Sequence, residues 1–132
     1  MSSPNAESLL TAARATALHA HAPYSRFRVG AAVLTERGVF TGCNVENASY
    51  GLCLCAERVA LGSAIAAGAR RISAIAVTCL DARADLGLPG RTPCGACRQW
   101  MLELAPEAEV WIDGEPRVFR VAELLPHGFQ LA

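Results

Sequence analysis

The order helix, strand, strand, helix, strand, helix, strand, strand puts this sequence in the α/β class. It predicts a three-layer α/β/α domain around a mixed five-stranded sheet. Three observations carry that reading. Two β-rich runs flank a short polar turn in "FRVGAAVLTERGVFTGCNV" (27–45). An unbroken apolar run, "ISAIAVTCL" (72–80), suits a central strand covered on both faces. Alanine-rich stretches with apolar residues at helical spacing alternate with these strands.

The elements follow in order. "PNAESLLTAARATALHAHA" (4–22) reads as the first helix, after a Ser3-Pro4 start. The turn Glu36-Arg37-Gly38 joins the first two strands as a hairpin. "CAERVALGSAIAAGA" (55–69) is the second helix, ended by Gly68, and the apolar run 72–80 is the third strand. A polar Gly/Pro loop, Asp81 to Pro93, leads into a third helix, "CGACRQWMLELA" (94–105), stopped by Pro106. "EVWI" (109–112), the turn Asp113-Gly114 and "RVFRV" (117–121) give the last strand pair.

The second helix has no charge between Arg58 and Arg70, and small residues surround it. A helix apolar all round is a buried helix, and in one domain of 132 residues covering it calls for a second subunit. There are no repeats or linker-like runs, so residues 1–132 are read as a single domain. No stretch approaches the roughly 18 apolar residues needed to span a bilayer, and the N-terminal segment lacks an unbroken apolar region, so a cytoplasmic address is expected. Twelve arginines balance twelve acids with no lysine, and the basic residues are scattered. No footprint for nucleic acid is visible.

Six cysteines in a reducing compartment are metal ligands or buried thiols rather than a disulfide framework. "PCGAC" (93–97) sets Cys94 and Cys97 at a helix start, where both thiolates reach one tetrahedral zinc and first-turn N–H groups point at the sulfurs. Thioredoxin-like redox pairs share that spacing. A second cysteine at a helix start, Cys55, turns the reading toward a metal. With Cys53 the site would be a closed, structural four-sulfur cage; without it, three sulfurs leave a position for water. Glu57 favours the open form, because a carboxylate beside a metal-activated water is a proton shuttle. Arg58 fits too, since three thiolates outweigh a dication by one charge. Cys43 and Cys79 fall within strand runs and read as core; His19, His21 and His127 show no ligand spacing.

These motifs resemble the small nucleoside cytidine deaminases. "YSRFRVGAA" (24–32), "GCNVENASYG" (42–51), "CAER" (55–58), "PCGACRQ" (93–99) and "ELLP" (123–126) stand in that family's order across nearly the whole chain. Zinc deaminases pair a metal-activated water with a glutamate that is not a ligand. The resemblance implies a cytidine deaminase-like fold and one zinc per subunit, held by Cys55, Cys94 and Cys97. It implies Glu57 as the catalytic shuttle, Arg58 as the charge-neutralising neighbour and Cys53 outside the ligand set. The reaction it implies is hydrolytic deamination of cytidine and 2′-deoxycytidine to the uridine forms plus ammonia, in pyrimidine salvage. Asn44 and Glu46 would bond the ribose, Phe27 would pack on the pyrimidine and Ala56 would present its backbone to the base. Read as residues alone, 44–47 could equally be a strand-end turn and Phe27 a core side chain.

The family also implies a homotetramer with sites at subunit junctions, and Phe129 resembles a residue that reaches into a neighbour's pocket. Three positions depart from the pattern: Arg28 stands where the family often has proline, and His127-Gly128 are not the residues expected before Phe129. Three rivals remain, namely a deaminase of an antibiotic nucleoside such as blasticidin S, a nucleic-acid deaminase, and a binding module stapled by four cysteines. The last predicts that losing Cys53 releases the metal.

Overall fold

A computed structural model describes residues 5–131. Five strands form one sheet: β1 (Val29–Thr35), β2 (Gly38–Cys43), β3 (Ile72–Cys79), β4 (Glu109–Ile112) and β5 (Phe119–Arg120). Their order across the sheet is β2-β1-β3-β4-β5. β1 pairs antiparallel with β2 and β3, β3 parallel with β4, and β4 antiparallel with β5, so the sheet is mixed as expected. The helices are α1 (Ala6–Ala17), α2 (Ala56–Ala66), α3 (Gly95–Leu104) and α4 (Val121–Leu124).

Strand parity sorts the two faces. On β1 and β3 the residues Ala31, Val33, Ile75 and Val77 join Leu61 of α2 and Met101 of α3 in one buried cluster. The alternate residues Ala32, Ala74 and Ala76 pack on Leu9 and Ala13 of α1. The α1 face is therefore close-set and small, while the opposite face holds the larger core, where a fully buried Leu or Met contributes about 1.5–3 kcal/mol.

The placement of α2 depends on β2. Ala56, Ala60 and Ala64, one turn apart, are fully buried. A side chain at Gly42 would stand 2.5 Å from the Ala60 nitrogen and 2.6 Å from the Ala56 carbonyl oxygen. The missing side chain lets α2 lie on the strand and fixes where its first turn comes out. Because β1 runs against both β2 and β3, and β3 runs with β4, the strands β2, β3 and β4 share one direction. α2 follows β2 and α3 follows β3, so both helices start at the carboxyl end of the sheet, the usual location of ligand sites in α/β folds.

The structure departs from the sequence reading in three places. Asn5 caps α1, its side chain accepting from the Ser8 N–H, while the expected Ser3-Pro4 start lies outside the described residues. The strand read over 117–121 shrinks to Phe119–Arg120, because the Glu123 carboxylate accepts the Arg120 N–H at 2.9 Å and starts α4 there. α2 is buried on its sheet side, and Ser63 and Ala66 are exposed within one chain, which does not conflict with the reading that one domain leaves this helix uncovered. Cys43 and Cys79 are half-buried rather than core. No described helix is long and apolar enough to cross a membrane.

Candidate functional site

Cys55 and Cys94 hold equivalent places at two helix starts. Each is the extended residue capping its helix, and neither side chain makes a capping hydrogen bond. Both sulfurs are left free for something else. Cys97 follows in the first turn of α3. The sulfurs of Cys55 and Cys94 lie 3.6 Å apart, as do those of Cys94 and Cys97, and all three fall within 4.8 Å of one another. A tetrahedral zinc with sulfur at about 2.3 Å sets its ligands about 3.8 Å apart, whereas a disulfide requires about 2.05 Å. The spacing fits a metal and not a bond.

The electrostatics fit as well. The Cys55 thiol is pulled down to about 5 by its hydrogen bond with Cys97, with Arg58 and Cys94 helping and burial opposing. Cys97 moves the other way, pushed up by the same bond, by burial and by nearby Glu57. The pair readily carries one negative charge, and a cation is what allows all three to be thiolates. Arg58 donates from Nη2 to the Cys55 sulfur and to the Cys53 carbonyl, both at 3.5 Å. Its Nε is the one buried side-chain nitrogen or oxygen without a partner among the described residues.

Glu57, on the first turn of α2, is 3% exposed. Burial pushes its carboxyl up to about 7, the Cys55 charge adding and its own backbone N–H and Arg58 opposing. A carboxyl in that range can both take and return a proton near neutrality.

Glu57, Ala56, Cys55 and Cys94 line a cleft of about 790 Å³, within the roughly 300–1,000 Å³ typical of small-molecule sites. Phe27, Asn44 and Glu46 line it too, so the sequence-selected residues meet in one cavity. Asn44 is 9% exposed; its Nδ2 donates to the Phe27 carbonyl and its Oδ1 accepts the Val29 N–H, both at 2.8 Å. The amide thus holds the loop that carries Phe27. Glu46 accepts the N–H groups of Tyr24 and Ser25, each at 3.1 Å, and the Ser25 hydroxyl. Those bonds, the hydroxyl first, hold its carboxyl below the usual range.

Ser25 and Cys79 are lining residues that sequence reasoning did not select. Ser25 joins Glu46 to Phe27, whose N–H it accepts at 3.0 Å; its place two residues before Phe27 in the same motif was the available signal. Cys79 ends β3 at the cleft, and burial, then Glu57, push its thiol up to about 12. Two singled-out residues stand apart. Cys53 lies outside the sulfur cluster, although it lines the cleft. Phe129 is 68% exposed and away from its own chain's cleft, its carbonyl accepting Gln99 Nε2 at 2.8 Å.

Comparison with known proteins follows the same lines. The family model described as "Cytidine and deoxycytidylate deaminase zinc-binding region" matches residues 3–112. A cytidine deaminase of Halalkalibacterium halodurans is 50% identical over 115 residues, covering 83% of this chain and 83% of that protein. The Mycobacterium tuberculosis cytidine deaminase is 46% identical over 113 residues, 85% of this chain and 80% of the relative. The crystal structure of the Burkholderia pseudomallei cytidine deaminase superposes with a TM-score of 0.82 at 49% identity, over 96% of this chain and 100% of the other.

Proposed function

Since the chain belongs to the cytidine and deoxycytidylate deaminase zinc-binding family, we propose that it hydrolyses cytidine and 2′-deoxycytidine to uridine and 2′-deoxyuridine, releasing ammonia in pyrimidine salvage. The observation that carries the reading is the set of three sulfurs at tetrahedral spacing beside a buried glutamate in one cleft. When held by Cys55, Cys94 and Cys97, zinc supplies a Lewis acid that lowers the pKa of a water in the cleft. Glu57 accepts that water's proton and passes it to N3 of the pyrimidine, which makes C4 electrophilic. The water's oxygen bonds to C4, Glu57 takes the remaining proton from that hydroxyl and delivers it to the amine, and the C4–N bond breaks as ammonia leaves and the C4 carbonyl forms. Arg58 offsets the excess thiolate charge. Phe27 packs on the base and Ala56 offers it backbone. Asn44 and Glu46 bond the sugar, where a matched polar partner gives the strongest discrimination.

A nucleoside suits the cleft better than a nucleotide. Among the described residues Glu46 and Glu57 are its acids, and its one lining cation, Arg58, is engaged with Cys53 and Cys55. Among the described residues a 5′-phosphate would meet no free cation there.

The oligomer belongs to the same proposal: a cytoplasmic homotetramer of single-domain subunits, with sites at subunit junctions. Ile65 and Ala66 of α2 and Trp100 and Leu104 of α3 border an apolar hollow of about 580 Å³. At the mouth of the cleft Tyr50 is 90% exposed. A neighbouring chain covers both, and Phe129 reaches across.

The test is ultraviolet absorbance of cytidine incubated with the zinc-loaded protein, with Glu57→Gln beside it. Wild type converts cytidine; the variant keeps its zinc and loses kcat by about 10²–10⁴, the scale of a lost proton shuttle. A wild type that leaves cytidine intact, or a variant with near-normal turnover, overturns the proposal.

A further inference from the structure

Glu46 stands at the start of a loop that its own chain barely packs. Val45 and Leu54 close the loop's base by exchanging N–H to carbonyl bonds at 2.9 and 2.8 Å. Between them residues 47–52 are all exposed, and the short 3-10 turn Tyr50–Leu52 buries nothing. Its own chain gives it no apolar anchor, so within the chain hydrogen bonds hold it.

Cys53 supplies two of them. The Asn47 N–H donates to its sulfur at 3.2 Å, and the same thiol lies 3.5 Å from the Asn47 carbonyl, to which it donates. Both bonds fall on one residue, so the thiol clips the main chain of Asn47 directly behind Glu46. The rest of the loop is tied to this point: Asn47 Oδ1 accepts the Ser49 N–H at 2.8 Å, and the Cys53 N–H returns to the Tyr50 carbonyl at 3.2 Å.

We propose that Cys53 is a positioning residue for sugar recognition: its thiol holds Asn47, and through it the Glu46 carboxylate, at the cleft. The inference rests on the cytidine deaminase reading, because it takes Glu46 to bond the sugar. The chemistry at Glu57 proceeds without it. Removing the clip therefore weakens binding and leaves turnover alone.

The experiment compares zinc-loaded wild type with Cys53→Ala and Cys53→Ser. The alanine variant keeps one zinc per chain and kcat within about twofold, while KM for cytidine rises roughly three- to tenfold, as loss of one or two weak hydrogen bonds implies. Serine, with a donor and an acceptor at the same place, recovers most of the loss. The alanine penalty vanishes for 2′,3′-dideoxycytidine, which lacks the hydroxyls Glu46 would read. Amide exchange at Asn47 quickens in Cys53→Ala and slows again in Cys53→Ser. An unchanged KM, a loss of zinc and kcat together, an equal penalty on the dideoxy compound, or no recovery with serine overturns the inference. A wild type inactive on cytidine overturns the parent reading instead, so the two failures are distinguishable.

Discussion

One group at the cleft, Cys55, Glu57 and Cys94 with Cys97 beside them, stands on the first turns of two helices that pack on the sheet; the other, Ser25 and Glu46 with Asn47 next in the chain, stands on exposed or half-exposed loops. The first group is positioned by burial: Gly42 lets α2 touch β2, and Glu57 and Cys97 are buried. The second is positioned by cross-loop hydrogen bonds: Asn44 donates to Phe27 and accepts from Val29, Glu46 accepts from Tyr24 and Ser25, and the Cys53 sulfur accepts from Asn47. Reacting groups have to be held within about 0.5 Å, which helix ends achieve better than loops. Groups that only select a substrate tolerate more play. The two groups should therefore fail differently when altered.

The largest effect is expected in the helix group. Cys94→Ala removes the sulfur that bridges the other two at 3.6 Å. Zinc content measured by atomic absorption should fall well below one per chain, and deamination should drop to background, because binding needs the full ligand set. Retained zinc with full activity would break the contrast at its stronger end.

Glu46→Gln probes the loop group. The amide keeps the shape but loses the charge that accepts three donors from Tyr24 and Ser25. KM for cytidine should rise roughly 10-fold, with zinc unchanged and kcat within a fewfold, the scale of one charge-assisted hydrogen bond. A collapse of kcat equal to that of Glu57→Gln would show that the groups are one machine.

The smallest effect concerns a pair that belongs to neither group. Arg28 donates from its guanidinium and its backbone N–H to Asp81, all three at 2.9 Å. The Arg28 guanidinium, then the backbone bond, holds the Asp81 carboxyl down at about 2, below the ordinary value of about 3.9. A carboxyl lowered by folding stabilises the fold above its unfolded pKa and loses that contribution as pH falls through the folded one. The stability difference between wild type and Asp81→Asn should thus be constant above about pH 4 and shrink toward pH 2, staying within the 0–1 kcal/mol of a surface pair. Chemical denaturation across that range measures it, and kinetics at neutral pH should be unaltered.

Legibility in the sequence followed the range of the interactions. Helices, the hairpin at residues 36–38 and the apolar central strand rest on local spacing, and the structure reproduces them. Cys94 and Cys97 were legible because three residues on one helix start fix their separation. Ser25 was not, since its bond to Glu46 joins residues 21 apart. The end of β5 was misread because Val118, Phe119 and Val121 suit a strand as well as a helix start, and the Glu123 cap decides between them. Cys79 looked like core because its strand is buried; only the position of the strand's end places it at the cleft.

By itself the sequence determined the element order, the α/β class, the pairing of a cysteine with a glutamate on one helix start, and the family. Each depends on neighbours along the chain or on patterns of residues in order. The family motif already pointed to Cys55 rather than Cys53; tertiary structure decided what Cys53 bonds to instead. Cys55 caps α2 and meets Cys94 across 39 residues, while Cys53 turns to Asn47 and serves the loop. Direction of a side chain after a turn is set by what packs around it, and no spacing rule carries that information.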